Sequence, residues 1–398
     1  MGGMRVCGQK LDDSLRQAVS NLDVPLAVGA ITSSRETIYH GAFGERARGE
    51  TGPLDENSAF YVASMAKPIT TAAAMKLVEE GRLSLDLPVS RWVPGVAQVK
   101  VFERFDDRGM PVYRNPVRAI TPRDLMTHSA GFAHRVWSGE LLRYEQRMSE
   151  CGAPHPGKGG DGEEWSVPLL FDPGLRWEYS GTAIDLLGRV IEEITGMSIG
   201  SYLRTAFFEP LGMVSTGWEL PPSLLARRVD SYRRRADGGF DVTEFQKPDG
   251  PVREYGAGGL YSSSADYLSF LRMLLGGGTL NGHRFLAPET IDEMAASRYR
   301  GATVGCLRST DGLIARDVEF FPGQRKSWGL GFLKNEERTA TGRSAGSFSW
   351  FGALNTYFWV DRKRDVAGVF LTQLRPCGDE RALSAFAGFE SAFYGSLS

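Results

Sequence analysis

Two serines stand in patterns that could make them nucleophiles. Ser64 opens 64-SMAK-67, an S-x-x-K spacing, and Ser198 sits in 196-GMSIG-200, a G-x-S-x-G spacing. A serine hydroxyl attacks a carbonyl only when a neighbouring base takes its proton. Residues three apart share one face of a helix, so Lys67 can bring its amine to the Ser64 hydroxyl. To serve as base that amine must be neutral, which requires burial or nearby cations to bring it well below the ordinary lysine value of ~10.4. S-x-x-K alone is a weak signal, because it recurs by chance with a solvent-facing lysine. G-x-S-x-G makes a nucleophile elbow only between a strand and a helix.

The elements around each serine separate them. Before GMSIG, Ile184, Leu187, Ile191 and Ile194 recur at three- and four-residue steps, which predicts an amphipathic helix. After it, SYLRTAFFEPLGM predicts a second helix that stops near Pro210. Gly196 then closes the first helix and Ser198 caps the second, a helix–helix junction rather than an elbow. Ser64 instead follows the strand-like run 59-AFYVA-63 and opens a helix expected over 64–80, ended by Gly81. Pro68 has no N–H and fits only the first turn, so Ser64 lies where unpaired N–H groups and the helix dipole favour negative charge.

A serine–lysine pair often works with a second proton carrier. Tyr179, in 177-WEYSGTAIDLLG-188, stands just before the 184–194 helix and could bring its phenol to Ser64. The plainer reading is a half-buried tyrosine with a satisfied hydroxyl. In 346-GSFSWFGALNTYFWVD-361, Gly352 lies between a strand entry and an aromatic strand, which suggests the close backbone approach that an oxyanion hole on a sheet edge needs. Among the five histidines, His128 in LMTHSAGF is the most site-like, yet a structural histidine bonded to backbone is the simpler reading. So few dispersed histidines do not make a metal site.

These residues need a scaffold, and the pattern along the chain supplies one. A helix is expected over 12–22, then a hairpin-like pair, PLAVGAIT and ETIYHGAF, around 31-ITSSRE-36. VKVFERFDDRGMPVY, over 99–113, reads as strand, turn and strand. Thr121-Pro122 reads as N-cap and first helical residue, and helical patterns dominate from there to about 210. Ser263 to Asp266 resembles a capping box opening a helix to Leu275. WGLGFLKN, AGSFSW, ALNTYFWV and DVAGVFLTQ follow as strands, and DERALSAFAGFESAFYG as a terminal helix. The fold class is therefore α+β: an antiparallel sheet flanked by helices, joining both ends of the chain. Residues 1–78 and 226–398 are expected to form that α/β domain, with an inserted, mainly helical domain over 79–225. The Gly- and Pro-rich 152-GAPHPGKGGDGEE-164 reads as an exposed loop.

Five segments, taken in order, resemble the serine β-lactamase and penicillin-recognising superfamily. They are FYVASMAKPITTAAAMKLVEEGRLSLDLPVSRWVPG, ITPRDLMTHSAGF, WEYSGTAIDLLGRVIEEITG, GAGGLYSSSADYLSFLRML and GSFSWFGALNTYFWVD. The resemblance spans nearly the whole chain. It is nearest to the class C-like branch that includes family VIII carboxylesterases and the lovastatin acyltransferase. It implies Ser64 as nucleophile, Lys67 as its base partner and Tyr179 as the first residue of a Tyr-Ser-Asn motif. It implies an oxyanion hole from the backbone N–H groups of Ser64 and Ala353, a cleft between two domains, and neither metal nor organic cofactor. Trp350-Phe351-Gly352 stands where the family carries Lys-Thr-Gly, and Gly181 where it carries the Asn. The lost cation and amide weaken a β-lactamase reading and match the esterase branch. Residues 99–113 look like the extra hairpin of that branch.

The function this implies is a serine carboxylesterase acting on short- to medium-chain esters through an acyl-enzyme. The alternatives are an acyltransferase to an alcohol, a weak β-lactam or amide hydrolase, and a ligand-binding module of the same fold. Trp350, Phe351, Gly352, Phe132 and Tyr255 are expected to shape an apolar substrate pocket. Composition agrees with a small-molecule partner. Lys and Arg number 46 against 48 Asp and Glu, so no charge bias points to nucleic acid or an anionic membrane. The short basic runs 233-RRR-235 and 362-RKR-364 read as solvated turns. The start lacks an apolar h-region, no window carries ~18 apolar residues, and the four scattered cysteines lack C-x-x-C spacing. Free thiols and a cytoplasmic location are the expectation.

Overall fold

The computed structural model describes residues 7–47, 52–151, 167–243, 252–301 and 303–397. The loop expected over 152–164 lies outside them. Among the described residues, eight strands form one sheet: β1 (Ala27–Thr32), β2 (Thr37–Phe43), β3 (Tyr299–Arg300), β4 (Lys326–Trp328), β5 (Leu333–Asn335), β6 (Phe348–Gly352), β7 (Thr356–Asp361) and β8 (Val366–Leu371). Their spatial order is β3-β4-β5-β6-β7-β8-β1-β2, so β8 pairs with β1 and the two ends of the chain meet in one sheet. All neighbouring pairs run antiparallel. The architecture is the α+β sheet-and-helix arrangement expected from the sequence.

Side-chain alternation along the strands sends residues to two covered faces. Every residue of β1, β7 and β8 is buried, which accounts for their continuous apolar runs. On one face lie α1 (Gly8–Ser20) and the terminal helix Glu380–Tyr394. Phe386 of that helix stacks on Tyr357, with ring centroids 4.6 Å apart and planes 6° from parallel. On the other face, the helix Ser264–Leu275 sets Tyr267 against Phe358, 5.5 Å between centroids. The segment before α2 (Ala66–Glu79) packs against this same face, at β6 and β7.

Local chemistry sets several boundaries. Leu11, Leu15 and Ala18 bury one stripe of α1. That helix begins at Gly8 rather than at the expected residue 12, with the first turn leading into the buried Leu11. Thr121 and Asp124 form a reciprocal capping box with Pro122 at the first helical position, opening α3 (Pro122–Met126). Ser263 accepts a hydrogen bond from the Asp266 N–H, as expected of a cap. The 99–113 segment is an antiparallel pair, Val101–Phe105 with Pro111–Arg114. It packs on α4 (Gly139–Glu150), with Phe102 4.9 Å from Tyr144 between centroids.

One basic run differs from its reading as a solvated turn. Arg234 lies in the strand Ser231–Arg234 and makes a bidentate pair with Asp379, with Nη2 donating at 2.8 Å. Asp379 also caps the terminal helix, so the pair ties this strand to the start of that helix. All four cysteines are free thiols. Among the described residues, no helix is long and apolar enough to cross a membrane.

Candidate active site

Ser64 sits in a single 3-10 turn, Ala63–Met65, that leads into α2. The turn is fixed by backbone: the N–H groups of Val62 and Ala63 both donate to the Leu260 carbonyl, at 2.9 and 3.3 Å. Ala63 adopts φ +47°, a left-handed conformation that a β-carbon disfavours, immediately before Ser64. Ser64 itself is partly exposed, at the wall of a cleft of about 650 Å³.

Lys67 is 3% exposed, and its hydrogen bonds define the site. Its Nζ donates to Ser64 Oγ at 3.0 Å and to the Ala257 carbonyl at 2.6 Å. Ala257 is in turn held from α5 (Gly181–Thr195), where Asp185 Oδ1 accepts its N–H at 2.7 Å. A chain of contacts therefore runs from Asp185 through one peptide unit to Lys67 and Ser64. The face of the Tyr179 ring covers Lys67 Nζ, 4.9 Å from the nitrogen to the centroid.

Tyr179 is buried, and its hydroxyl accepts a hydrogen bond from the indole N–H of Trp350 at 3.3 Å. Indole nitrogen only donates, so the phenol keeps its own proton for another acceptor. Among the described residues no hydrogen bond joins the phenol to Ser64 or Lys67. Tyr179 meets the site through its ring.

Gly352 ends β6 against the chain just before Ser64. A β-carbon there would stand 2.3 Å from the Val62 carbonyl oxygen. This is the close backbone approach expected at that glycine, and it brings Ala353 into the same cleft as Ser64. The Ala353 N–H has no acceptor among the described residues, and the Ser64 N–H lies in a first turn where N–H groups lack partners. The two amides are therefore available to a developing oxyanion.

The five expected pocket residues separate. Tyr255 lines the cleft. Trp350, Phe351, Gly352 and Phe132 do not: the three aromatic residues are buried in the core, and Gly352 is buried against Val62. Trp350 shares a β6 face with Gly352 but is enclosed by Tyr179, Trp328 and Phe351, with ring centroids 5.0, 4.6 and 4.8 Å away. Phe351 points to the opposite face because strand side chains alternate, and there it meets Phe320 and Tyr357. Phe132 packs into the main core, and the lining side chain of that loop is His134 instead.

His128 has the structural role expected of it. It is fully enclosed, its Nδ1 accepts the Ser180 N–H at 3.3 Å, and burial together with the Lys67 charge holds it well below the ordinary histidine value. Ser198 is a cap: its hydroxyl accepts the Ser201 N–H at 3.2 Å, and Gly196 ends α5 in the left-handed region at φ +70°.

Several cleft residues went unrecognised in the sequence: Tyr61, His134, Asp185, Trp218, Arg253 and Tyr261. A signal existed for Tyr61, two residues before Ala63 on the same strand-like run. Tyr261 then meets it edge-on across an antiparallel pair, 5.2 Å between centroids. No local pattern announces Trp218, whose indole N–H bonds the Gly258 carbonyl at 2.8 Å from a distant segment.

Comparison with known proteins places this geometry in a wider group. A family model described as beta-lactamase matches residues 11–390. A lovastatin esterase from Penicillium rubens is 30% identical over 90% of this chain and 91% of its own. A monacolin J acid methylbutanoyltransferase from Aspergillus terreus is 29% identical over 96% of this chain and 95% of its own. Among solved structures, a mutant simvastatin synthase from Aspergillus terreus superposes with a TM-score of 0.82 at 27% identity, covering 97% of this chain and 94% of that one.

Proposed function

Because the chain belongs to the β-lactamase family, a group of catalytic serine hydrolases and acyltransferases, we propose that it moves the acyl group of a small carboxylic ester through Ser64 to an alcohol acceptor. Water is the competing acceptor, and ester hydrolysis is the second reading. The observation that carries the proposal is Lys67 Nζ 3.0 Å from Ser64 Oγ at the wall of an organic-sized cleft. The transferase named among the relatives supports transfer, and the esterase among them supports hydrolysis.

In the first half-reaction, Ser64 Oγ gives its proton to Lys67 Nζ, its hydrogen-bond partner, and bonds to the acyl carbon. The carbonyl oxygen takes the negative charge, held by the Ser64 and Ala353 N–H groups. The bond to the leaving oxygen then breaks, and that oxygen takes a proton from the Lys67–Tyr179 pair. In the second half-reaction the acceptor hydroxyl loses its proton to Lys67 and attacks the acyl carbon; the bond from that carbon to Ser64 Oγ breaks, and Oγ takes the proton back from Lys67. Tyr61, Tyr261, Trp218, Leu220 and Leu225 give the cleft an apolar lining suited to an organic acceptor.

The departures from the β-lactamase pattern support ester chemistry over lactam chemistry. Gly181 offers no side-chain amide, and Trp350 places no cation at the end of β6. The test is product analysis with p-nitrophenyl butyrate in the presence and absence of a primary alcohol. Transfer predicts that added alcohol speeds p-nitrophenol release and that the butyrate appears as the new ester. Butyric acid as the only product at every alcohol concentration would leave hydrolysis as the function.

A further inference from the structure

The cleft carries a polar group that the acyl-transfer steps leave unused. His134 lines the cleft with Ser64, Lys67 and Gly181. It caps a short turn, and its Nδ1 accepts the Val136 N–H at 3.3 Å. A neutral imidazole that accepts at one nitrogen carries its proton on the other, so Nε2 is the donor. Among the described residues no group pairs with Nε2, and it is not one of the sealed polar atoms. The ring is held by stacking on Tyr179, 6.0 Å between centroids and 23° from parallel.

Gly181 is its neighbour on the cleft wall. A β-carbon on Gly181 would meet only His134 Cδ2, at 3.7 Å, and the Ala257 side chain, at 3.9 Å. His134 therefore forms the wall where Gly181 leaves room, next to the Ala257 unit that holds Lys67. Burial and the Lys67 charge push its titration down to about 4, so the imidazole stays neutral and the Nε2–H persists at ordinary pH.

We propose that His134 is a specificity-determining residue whose Nε2–H donates to an oxygen borne on the acyl chain of the substrate. This rests on the cleft being an acyl-transfer site. A donor fixed beside the Ser64–Lys67 pair selects acyl groups that carry an acceptor within its reach and gives nothing to those that do not.

Two variants separate the donor from the turn. His134→Asn keeps an oxygen near the Nδ1 position for the Val136 N–H, as short polar side chains do in turns, but cannot reach into the cleft. His134→Gln extends an amide donor to about the Nε2 position. The measurement is kcat/KM for p-nitrophenyl methoxyacetate and p-nitrophenyl butyrate in the wild type and both variants, with thermal unfolding to verify the fold. Comparing each substrate across variants removes its intrinsic reactivity. The expected result for His134→Asn is a fall of about 3- to 10-fold for the methoxyacetate, the worth of one neutral hydrogen bond. The butyrate value should change less than about 2-fold, and His134→Gln should recover most of the loss. Equal changes for both substrates, or no change for either, would overturn the proposal while leaving the acyl-transfer reading intact. A wild type that turns over neither ester would overturn both.

Discussion

Ser64 and Lys67 are aligned by contacts on both sides of the lysine, and each contact can be removed singly. Lys67→Ala should lower kcat severely with little change in KM, since the amine meets the reacting hydroxyl rather than the bound acyl group. Tyr179→Phe should lower kcat on the order of 10²-fold, the scale of general acid–base catalysis; a near-normal kcat would leave the tyrosine only its ring contact with Lys67. Asp185 reaches the chemistry indirectly, by fixing the peptide whose carbonyl holds Lys67. Asp185→Ala should reduce kcat roughly 10-fold through misplacement of the amine, with KM within about 2-fold. Asp185→Asn retains an acceptor oxygen and should recover most of it. Equal losses in both variants would show that charge, not positioning, is what Asp185 supplies. The serine and lysine were legible because their spacing is local. Asp185 was not, because its partner lies 72 residues away.

At the scale of elements, the end of β6 and the turn before α2 form one unit. Gly352 is the point of contact, and no side chain fits between it and Val62. Gly352→Ala should push β6 away from the Ser64 turn, displacing the Ala353 amide. Removal of one oxyanion donor costs about 10²- to 10³-fold in kcat, so a comparable loss is expected, together with a lower denaturation midpoint. Full activity in that variant would show that the Ala353 N–H does not hold the oxyanion. The glycine was readable from its place between a strand entry and an aromatic strand. The pocket walls were not: Trp350, Phe351 and Phe132 have the composition of lining residues, but strand alternation and core packing turn them inward. Aromatic character reports burial as readily as binding, and only the facing of each strand decides which. Ser198 shows the reverse case. Its motif imitates a nucleophile, and the helices on both sides identify a cap, so Ser198→Ala should keep most activity and lose ~0.5–2 kcal/mol of stability.

The whole molecule is tied together by groups that titrate or pair far from the cleft. Arg343 and Glu390 are fully buried and paired, joining the segment before β6 to the terminal helix, with Nη2 donating at 2.8 Å. Removing one partner leaves an uncompensated buried charge, so Glu390→Gln should destabilise the fold by about 3–5 kcal/mol without altering the pH profile of kcat. Acid should act through the histidines. His128 and His134 are held below 6.5 in the folded chain, so the unfolded chain binds protons that the folded chain refuses. Stability is therefore retained above the unfolded value of ~6.5 and declines as pH falls below it, with the His134 contribution ending near about 4. The urea midpoint should be lower at pH 5 than at pH 7, and a flat midpoint would contradict this linkage. The sheet order was only partly legible: the strands announce themselves by composition, whereas the β8–β1 pairing joins residues more than 300 positions apart.

The central claim is that Ser64 is the nucleophile. Its most direct test is labelling of the intact protein with a fluorophosphonate, followed by mass spectrometry of its peptides, in the wild type, Ser64→Ala and Ser198→Ala. One label on the peptide containing Ser64, lost in Ser64→Ala and retained in Ser198→Ala, is the result these contacts predict. A label on Ser198, or labelling that persists in Ser64→Ala, would contradict the account.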